Sequence, residues 1–271
     1  MEFIVFFIHK GLGNSGADIA VELSRHASQV YLSTRRGAWV MSRLANRGVP
    51  WDISLETRFR QQWPTIIQEY ITMRNFQSRF DHAKYGLLPK HGVLNSPSVI
   101  SDDLPHVIAM GSVIMKPNIS YFSKAAVNFQ DGSLVDNLDV VVFCTGYNIT
   151  FKFLEQDILP VKDNEVKLYK QVFAPHHRHP TLAVIGLIQS SGAFNAAIEL
   201  QARWVVKVFT KKIELPSCKE MVCDILEKKK SLSANFYRSK RLTIQVCSVI
   251  HSESVILANL KSQEWELRQR W

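Results

Sequence analysis

One glycine-rich turn constrains the fold of this chain more than any other feature of its 271 residues. The sequence Gly11-Leu12-Gly13-Asn14-Ser15-Gly16 follows an apolar run at residues 3–8 and precedes a stretch, 17–27, with apolar residues at helical spacing. The first glycine closes a tight turn, the second lets the backbone approach a pyrophosphate, and the third lets helix and strand pack closely. With a second strand over residues 30–33, the pattern predicts a βαβ unit that binds a dinucleotide at the helix start. The alternative interpretation is a glycine turn with a structural role only.

The end of the second predicted strand indicates which dinucleotide is bound. Domains that prefer NAD carry an Asp or Glu there, which binds the ribose 2′-hydroxyl. This chain has Ser33-Thr34-Arg35-Arg36 instead. Two guanidinium groups and two hydroxyls suit a 2′-phosphate, because arginine pairs with phosphate through a rigid fork of donors. The sequence therefore predicts NADP(H), unless Arg35 and Arg36 are ordinary loop charges.

A third signal follows the predicted strand Leu138–Cys144, which is rich in valine and expected to be buried. The segment Phe143-Cys144-Thr145-Gly146-Tyr147 can bring its backbone close to a cofactor where the chain leaves the strand. A plain exit from strand to loop explains the same residues.

The remaining patterns predict shorter elements. Residues 39–90 read as a helical insertion, with one amphipathic helix over Pro64–Phe80 whose apolar positions include Ile67, Tyr70 and Ile71. Asp102-Asp103 reads as a helix start or a turn and not as a catalytic pair. Short strands and turns are predicted at Gly92–Ile100 and Val107–Pro117, and a hairpin over 127–135. Further strands are predicted at Val166–Val172 and at Leu182–Ile188, the second of them buried. Helices are predicted at Ala196–Phe209 and 218–230, and a capping box of Ser217 and Glu220 begins the second helix.

Composition excludes several classes of protein. The formal net charge is +9, and residues 211–271 supply +5 of it, which fits a solvated helical surface or attraction to an anionic partner. Zinc-finger spacing and basic–aromatic alternation are absent, so no nucleic acid is expected. The run His176-His177-Arg178-His179 lacks usual zinc spacing, and no metal is predicted. No apolar run reaches the ~18 residues of a membrane-spanning helix, and four cysteines without a CxxC pair do not suggest a disulfide framework.

In combination and order, these motifs resemble those of the flavin-containing monooxygenases, in particular the animal dimethylaniline-monooxygenase branch. The resemblance extends over about residues 3–245. The segments that carry it are Gly11–Asp18, Ser33–Val40, Tyr85–Leu87, Phe143–Tyr147 and Glu199–Trp204.

The resemblance implies an NADPH-binding unit nested within an FAD-binding unit. In such enzymes NADPH reduces FAD, and a flavin C4a-hydroperoxide then transfers one oxygen atom to a soft nucleophilic nitrogen or sulfur of a small amine or sulfide. The resemblance also implies the cytosolic face of the endoplasmic reticulum membrane, with peripheral membrane association. For the site residues it implies that Ser15, Gly16, Ala17 and Asp18 contact NADP, that Arg35 and Arg36 hold its 2′-phosphate, that Thr145, Gly146 and Tyr147 mark the return to the FAD unit, and that Gln189 lies near the flavin.

The chain departs from the family pattern in ways that favour a second hypothesis. The glycine motif that binds FAD is missing from these 271 residues, and the segment after Gln189 and the C-terminal tail are unfamiliar. We therefore expect a truncated member: an NADP(H) unit at 1–145 with its insertion at about 40–90, a remnant of the FAD unit at 146–210, and a helical, basic tail at 211–271. The alternative to an active monooxygenase is a catalytically inactive NADP-binding fragment.

Overall fold

The computed structural model describes residues 4–9, 12–55, 57–124, 126–190, 194–237, 239 and 242–246. Gly11 and the end of the predicted tail, residues 247–271, lie outside the described residues. So do the side chains of residues 4–9, whose burial was predicted. The chain divides into two compact units, the first formed by Met1–Trp51 and Gln61–Tyr147, the second by Asp52–Arg60 and Asn148–Trp271.

The first unit has α/β architecture, with strands and helices that alternate early in the chain. Two short helices, α2 (Trp51–Leu55) and α3 (Arg58–Gln61), fall mainly in the segment Asp52–Arg60, which is assigned to the second unit. The strands and helices of the first unit are β1 (Ile4–His9), α1 (Asn14–Leu23), β2 (Gln29–Thr34), β3 (Val40–Met41), α4 (Thr65–Gln77), β4 (Val99–Ile100), α5 (Leu104–Ala109), β5 (Val113–Lys116), β6 (Ile119–Phe122), β7 (Ala126–Phe129), β8 (Leu134–Asp136) and β9 (Val140–Phe143).

A four-stranded parallel sheet in the order β5-β2-β1-β9 organises the first unit. Side chains alternate between its faces, as the period of a strand requires. Val30 and Leu32 of β2 are fully buried in a cluster with Ala17 and Ala20 of α1 and with Leu104, which begins α5. Helices therefore cover one face of the parallel sheet.

A small antiparallel sheet covers the other face. Strands β6, β7 and β8 form it in sequence order, and β7 and β8 are the predicted hairpin. Val127, Phe129 and Val135 are buried there, and Tyr31 of β2 and Val141 of β9 pack against them. Apolar contacts thus hold both faces of the central sheet.

The predicted insertion contains helices, but its apolar residues are placed differently from the prediction. Helix α4 buries Thr72 and Phe76, one turn apart, whereas Ile67 and Tyr70 are exposed. Phe76 packs with Trp39 in a separate cluster. The burial of Phe76 against Trp39 decides which side of the helix faces inward. The predicted apolar face was therefore wrong.

The second unit has short strands and two long helices. Ser217 caps α7: its hydroxyl accepts from the Glu220 N–H at 3.4 Å, and the Glu220 carboxylate accepts from the Ser217 N–H at 2.8 Å. This confirms the capping box. The strands and helices are β10 (Val161–Lys162), β11 (Glu165–Val166), β12 (Gln189–Ser190), α6 (Phe194–Phe209), α7 (Cys218–Asn235) and β13 (Gln245–Val246).

An aromatic cluster forms the main core of the second unit. The Trp204 ring of α6 lies 5.1 Å from the Phe173 ring and 5.9 Å from the Tyr169 ring, between centroids, in edge-to-face geometry. Val205 and Met221 join the cluster from α6 and α7. Burial raises the pKa of Tyr169, and the nearby acids Asp224 and Glu220 raise it further.

Two predicted strands of the second unit are wrong. Residues 182–188 contain no strand: Gly186 has φ +84°, and its N–H donates to the Gln201 side-chain oxygen at 2.9 Å. This left-handed residue interrupts the extended backbone. Of the predicted strand Val166–Val172, only Val166 lies in an observed strand, β11, and Lys170 and Gln171 both have positive φ in a tight turn.

Two differences in the first unit concern exposure and helix starts. Strand β9 forms as predicted, but Val140 is 42% and Phe143 63% exposed, because β9 is an edge strand of the sheet. The predicted buried strand is thus partly open to solvent. Helix α5 occupies the start of the segment Val107–Pro117, and the Leu104 N–H donates to the Ser101 hydroxyl at 3.2 Å.

The sequence analysis also made predictions about disulfides and membrane-spanning helices. Cys144, Cys218 and Cys223 are free thiols, whereas Cys247 lies outside the described residues. Within the described ranges, every helix is too short or too polar to cross a membrane.

Candidate nucleotide-binding site

Three loops leave the central sheet at one edge. Strand β1 pairs in parallel with β2, where His9 is opposite Thr34, and with β9, where Ile8 is opposite Phe143. The carboxyl ends of the three strands therefore lie side by side. In open α/β sheets this edge is where ligands bind.

The loop after β1 leads into a helix start suited to an anion. Gly13 is the N-cap of α1 with extended backbone (φ −122°, ψ 175°), and no side chain caps the helix. The first turn of α1 has no acidic residue, and Gly16 is buried. Ser15 is exposed at this end of the helix, and Ala17 is fully buried on the sheet side. The N–H groups of the first turn and the helix dipole thus favour a phosphate group at this end.

The hydroxyls at the end of β2 are already bonded to the backbone. The Ser33 hydroxyl donates to the Pro117 carbonyl at 2.7 Å, and the Thr34 hydroxyl accepts from the Gly37 N–H at 3.1 Å. Both residues are buried. Because the single hydroxyl proton of Ser33 is already donated to the Pro117 carbonyl, this hydroxyl cannot also donate to a phosphate. In this geometry, Ser33 and Thr34 fix the strand end and the turn that carries the arginines.

A close backbone contact holds that turn in place. Gly37 has φ +71°, and a Cβ atom there would lie 2.3 Å from the Leu87 carbonyl oxygen. The same carbonyl accepts from the Ala38 N–H at 2.8 Å. Only glycine allows both the left-handed backbone and this approach. The packing gives a physical role to the Tyr85–Leu87 motif of the sequence.

The two arginines of the turn differ in exposure. Arg35 is exposed, and Arg36 is half-buried. Arg36 acts on His91, whose pKa is lowered first by burial and second by the positive charge of Arg36. The His91 ring is therefore neutral at neutral pH. Its main-chain carbonyl accepts a hydrogen bond from the Trp39 indole N–H at 3.0 Å. The turn thus carries two permanent cations at the edge that holds the α1 N-terminus.

An ion-pair network next to α1 escaped sequence reasoning. Asp18 of α1 lies 3.9 Å from the Arg43 guanidinium, which also contacts Asp102 at 3.2 Å. Arg79 contacts Asp102 from the other side at 3.4 Å. Asp102 thus pairs with two loop arginines, and Asp103 beside it is the N-cap of α5, which confirms the predicted helix start. Sequence alone gave no signal for these partners, which lie 23 to 59 positions from Asp102.

Asn14 links the glycine turn to β4. Its side-chain oxygen accepts from the Ile100 N–H at 2.8 Å. The amide NH₂ group points away from this bond, because oxygen and nitrogen branch from one carbon. Asn14 is exposed, so this group is accessible at the helix start.

The third loop, Thr145-Gly146-Tyr147, has an open backbone. Gly146 has φ +87°, with no atom within 4 Å of the position of a Cβ, and the Tyr147 side chain is 82% exposed. Cys144 before it is buried, and burial raises the pKa of its thiol. A ligand can therefore reach the backbone at this turn.

Gln189 belongs to the second unit. It lies in β12, and its side-chain oxygen accepts from the Gln245 amide at 2.9 Å. Its predicted role near a flavin stays a prediction. Gln201 was not singled out, although it is almost fully buried and holds the Gly186 N–H. In the part of the chain that the structure describes, no cluster of His, Cys, Asp or Glu could hold a metal ion.

Comparison with known proteins identifies the family. The family described as Flavin-binding monooxygenase-like matches residues 5–261, and this chain belongs to it. It is 47% identical over 239 residues to flavin-containing monooxygenase 5 of Oryctolagus cuniculus, covering 87% of this chain and 45% of that protein. It is 41% identical over 249 residues to flavin-containing monooxygenase 3 of Homo sapiens, covering 90% and 46%. The chain thus spans less than half the length of these curated relatives.

Solved structures support the fold. An S-allyl-L-cysteine S-oxygenase from Allium sativum matches with a TM-score of 0.57 and 22% identity, covering 95% of this chain and 44% of that one. An oxidized steroid monooxygenase bound to NADP matches with a TM-score of 0.61 and 12% identity, covering 96% and 65%. At these identities the likeness concerns the fold, which is α/β and Rossmann-type.

Proposed function

We propose that this chain forms the NADP(H)-binding part of a flavin-dependent monooxygenase. The activity proposed for the whole enzyme is transfer of one oxygen atom to a soft nitrogen or sulfur of a small amine or sulfide. The proposal rests on one observation: the uncapped N-terminus of α1 and the Arg35–Arg36 turn lie at the same edge of the sheet. Membership of the flavin-binding monooxygenase-like family indicates that the whole enzyme is an oxidoreductase.

The residues present fit NADP(H). The first turn of α1 has N–H donors without a competing side chain, and Gly13 leaves room for backbone approach. Gly11, Gly13, Asn14, Ser15 and Gly16 would hold the pyrophosphate. Arg35 and Arg36 would hold the 2′-phosphate. Thr34 and Gly37 fix the arginine turn through their hydrogen bond. Asp18 would contribute through its pair with Arg43.

The 271 residues do not offer the same fit for FAD. A flavin dinucleotide needs a second glycine turn at a helix start, and the sequence contains one GxGxxG pattern. Gly146 and Gln189 can contact a cofactor but cannot cradle a pyrophosphate alone. FAD, when bound, supplies the oxygen-transfer chemistry, which side chains do not replace.

Titration of NADP⁺ onto the full chain and three variants tests the proposal. Arg35→Ala and Arg36→Ala should each weaken NADP⁺ binding about tenfold, because each removes a charge-assisted contact. Arg25→Ala is the matched control: Arg25 is exposed and pairs with Glu22 near the other end of α1. Unchanged affinity in both turn variants would contradict the site.

A second candidate function is binding of NADP(H) without turnover by this polypeptide alone. The single glycine turn favours it, since FAD lacks its pyrophosphate site. We expect the purified chain to be colourless and to consume no NADPH with a tertiary amine or thioether, even with added FAD. A flavin spectrum between roughly 350 and 500 nm with substrate-dependent turnover would instead support the complete monooxygenase.

Location and partners follow from the family only as proposals. We place the protein at the cytosolic face of the endoplasmic reticulum membrane, with peripheral association. The basic balance of +9 suits an anionic membrane surface. Co-sedimentation with vesicles, with and without anionic lipid, would test this attachment.

A further inference from the structure

The second unit contains a pocket that the nucleotide site does not use. It has a volume of about 510 Å³, within the range of small-molecule sites. It lies between the segment 173–182, the end of α6 and the start of α7. The pocket is therefore formed by three parts of one compact unit.

The pocket has an apolar floor. Phe173, Val208, Ile213 and Met221 line it and are buried in the aromatic cluster of this unit. Leu182 lines it as well and is half-buried. These side chains are held by packing on both helices, so the floor exists without a ligand. An aliphatic chain would gain by displacing water from it.

The mouth of the pocket is basic. His176, His177, Arg178 and Lys211 line it, against one acidic residue, Glu214. The ring Nε2 atoms of His176 and His177 lie 3.1 and 2.9 Å from the Ile158 carbonyl oxygen. A carbonyl only accepts, so both rings donate to it through Nε2 and are fixed in orientation.

Lys211 is placed at the mouth by the end of α6. It has φ +55°, its N–H donates to the Val208 carbonyl at 3.0 Å, and the next N–H, of Lys212, donates to the Lys207 carbonyl at 2.9 Å. This left-handed helix end turns the chain at Lys211. The N-terminus of α7 is already capped by Ser217 and Glu220, so it is not the anion site.

We infer that this pocket binds a medium-chain aliphatic carboxylate. The floor suits the chain. Arg178 and Lys211 suit the carboxylate, because a guanidinium pairs with its planar oxygens. An aliphatic ammonium would meet like charges at the mouth. The pocket shares no residue with the nucleotide site, and the inference does not depend on the proposed function.

A built-in thiol pair makes the inference testable. Cys218 lines the pocket, whereas Cys223, five residues further along α7, does not, and both thiols are exposed. The full chain is treated with iodoacetamide, with and without sodium decanoate, and modification of each cysteine is followed by peptide mass spectrometry. We expect decanoate to slow alkylation of Cys218 at least fivefold and to leave Cys223 unchanged.

Three further arms define the ligand class. Each methylene added from hexanoate to decanoate should tighten protection of Cys218 up to about fourfold, which corresponds to ~0.8 kcal/mol per buried methylene. Decyltrimethylammonium should protect less than decanoate. Arg178→Gln should weaken decanoate binding by up to about fivefold, the upper limit for an exposed ion pair, without changing the binding of decanol. Lys212→Gln is the control, since Lys212 is exposed and does not line the pocket.

Several results would overturn the inference. They are the same protection of Cys218 and Cys223, no protection by decanoate below its micelle concentration, and protection independent of chain length. Equal protection by decanoate and decyltrimethylammonium would show that the basic mouth does not favour a carboxylate over a cationic head group. Protection only in the presence of anionic lipid vesicles would assign the surface to a membrane instead of a free carboxylate.

Discussion

The two compact units of this chain are stabilised in different ways. In the first, a parallel sheet of four strands brings three loops to one edge. In the second, the described strands form pairs of two residues each, and the core is an aromatic cluster around α6 and α7. The comparison teaches that the nucleotide site depends on backbone topology. The pocket of the second unit depends on how side chains pack.

The largest expected effect is on the aromatic cluster. Trp204→Ala removes the ring that contacts Phe173 and Tyr169 and should destabilise the second unit by about 3–5 kcal/mol. Hydrogen exchange in α6 and α7 would measure the loss. Val206→Ala is the control, because Val206 is on the same helix and 60% exposed. If exchange rates in α6 matched those of the control, the cluster would not be the main core.

The next effect is on the arginine turn of the first unit. Gly37→Ala should cost about 1–3 kcal/mol and weaken NADP⁺ binding, since the new Cβ meets the Leu87 carbonyl. Gly48→Ala is a matched control: Gly48 also has positive φ (+72°), but no atom lies within 4 Å of its Cβ position. Urea unfolding and NADP⁺ titration compare the two. Equal costs would mean that backbone strain alone, and not the contact with Leu87, requires glycine.

A smaller effect is expected at the start of α7. Ser217→Ala removes the capping hydroxyl and should lower the stability of the second unit by about 1 kcal/mol. Ser217→Asn retains a capping oxygen and should recover most of the loss. Thermal unfolding of the three chains measures the difference. Equal loss in both variants would argue against the capping hydrogen bond.

The smallest expected effect is a pH dependence within the first unit. The His82 ring is fully buried and accepts from the Val40 N–H at 3.1 Å, and burial lowers its pKa below the ordinary 6.5. The unfolded chain binds this proton more readily, so the free energy of unfolding should fall as pH drops below about 6.5. Above that pH, the ring is neutral in both states.

Replacing His82 should remove this titration. His82→Gln keeps an acceptor for Val40 and should make the decline between pH 7 and 5 shallower. Urea unfolding across this range is the measurement, and His106→Gln, at an exposed histidine, is the control. An unchanged slope in His82→Gln would show that burial of this ring does not contribute.

The sequence predicted most of what the backbone pattern of the first unit determines. Residues 12–16 of the glycine turn, α1, β2 and the hairpin of β7 and β8 formed close to their expected positions. Each is specified by local spacing of apolar residues and turn residues. The contacts of Asn14 with β4 and of Gly37 with Leu87 were not predictable, because they join residues about 50 to 86 positions apart.

The second unit was harder to predict for a physical reason. Its helices and capping box were correct, but the apolar run 182–188 is not a strand. Consecutive residues of this run pack into different clusters: Ala183 lies against the aromatic cluster, whereas Val184 lies against a second cluster that contains Leu159 and Val166. The pattern of apolar residues does not show which cluster each side chain packs against. It also does not show that the Gly186 N–H donates to the Gln201 side chain.

We propose that the Arg35–Arg36 turn and the start of α1 together form an NADP(H) site. The most direct test is calorimetric titration of the full chain with NADP⁺ and with NAD⁺ at one salt concentration. We expect a dissociation constant about tenfold lower for NADP⁺ than for NAD⁺, because the 2′-phosphate meets two guanidinium groups. Equal affinities for the two nucleotides, or no binding of either, would contradict it.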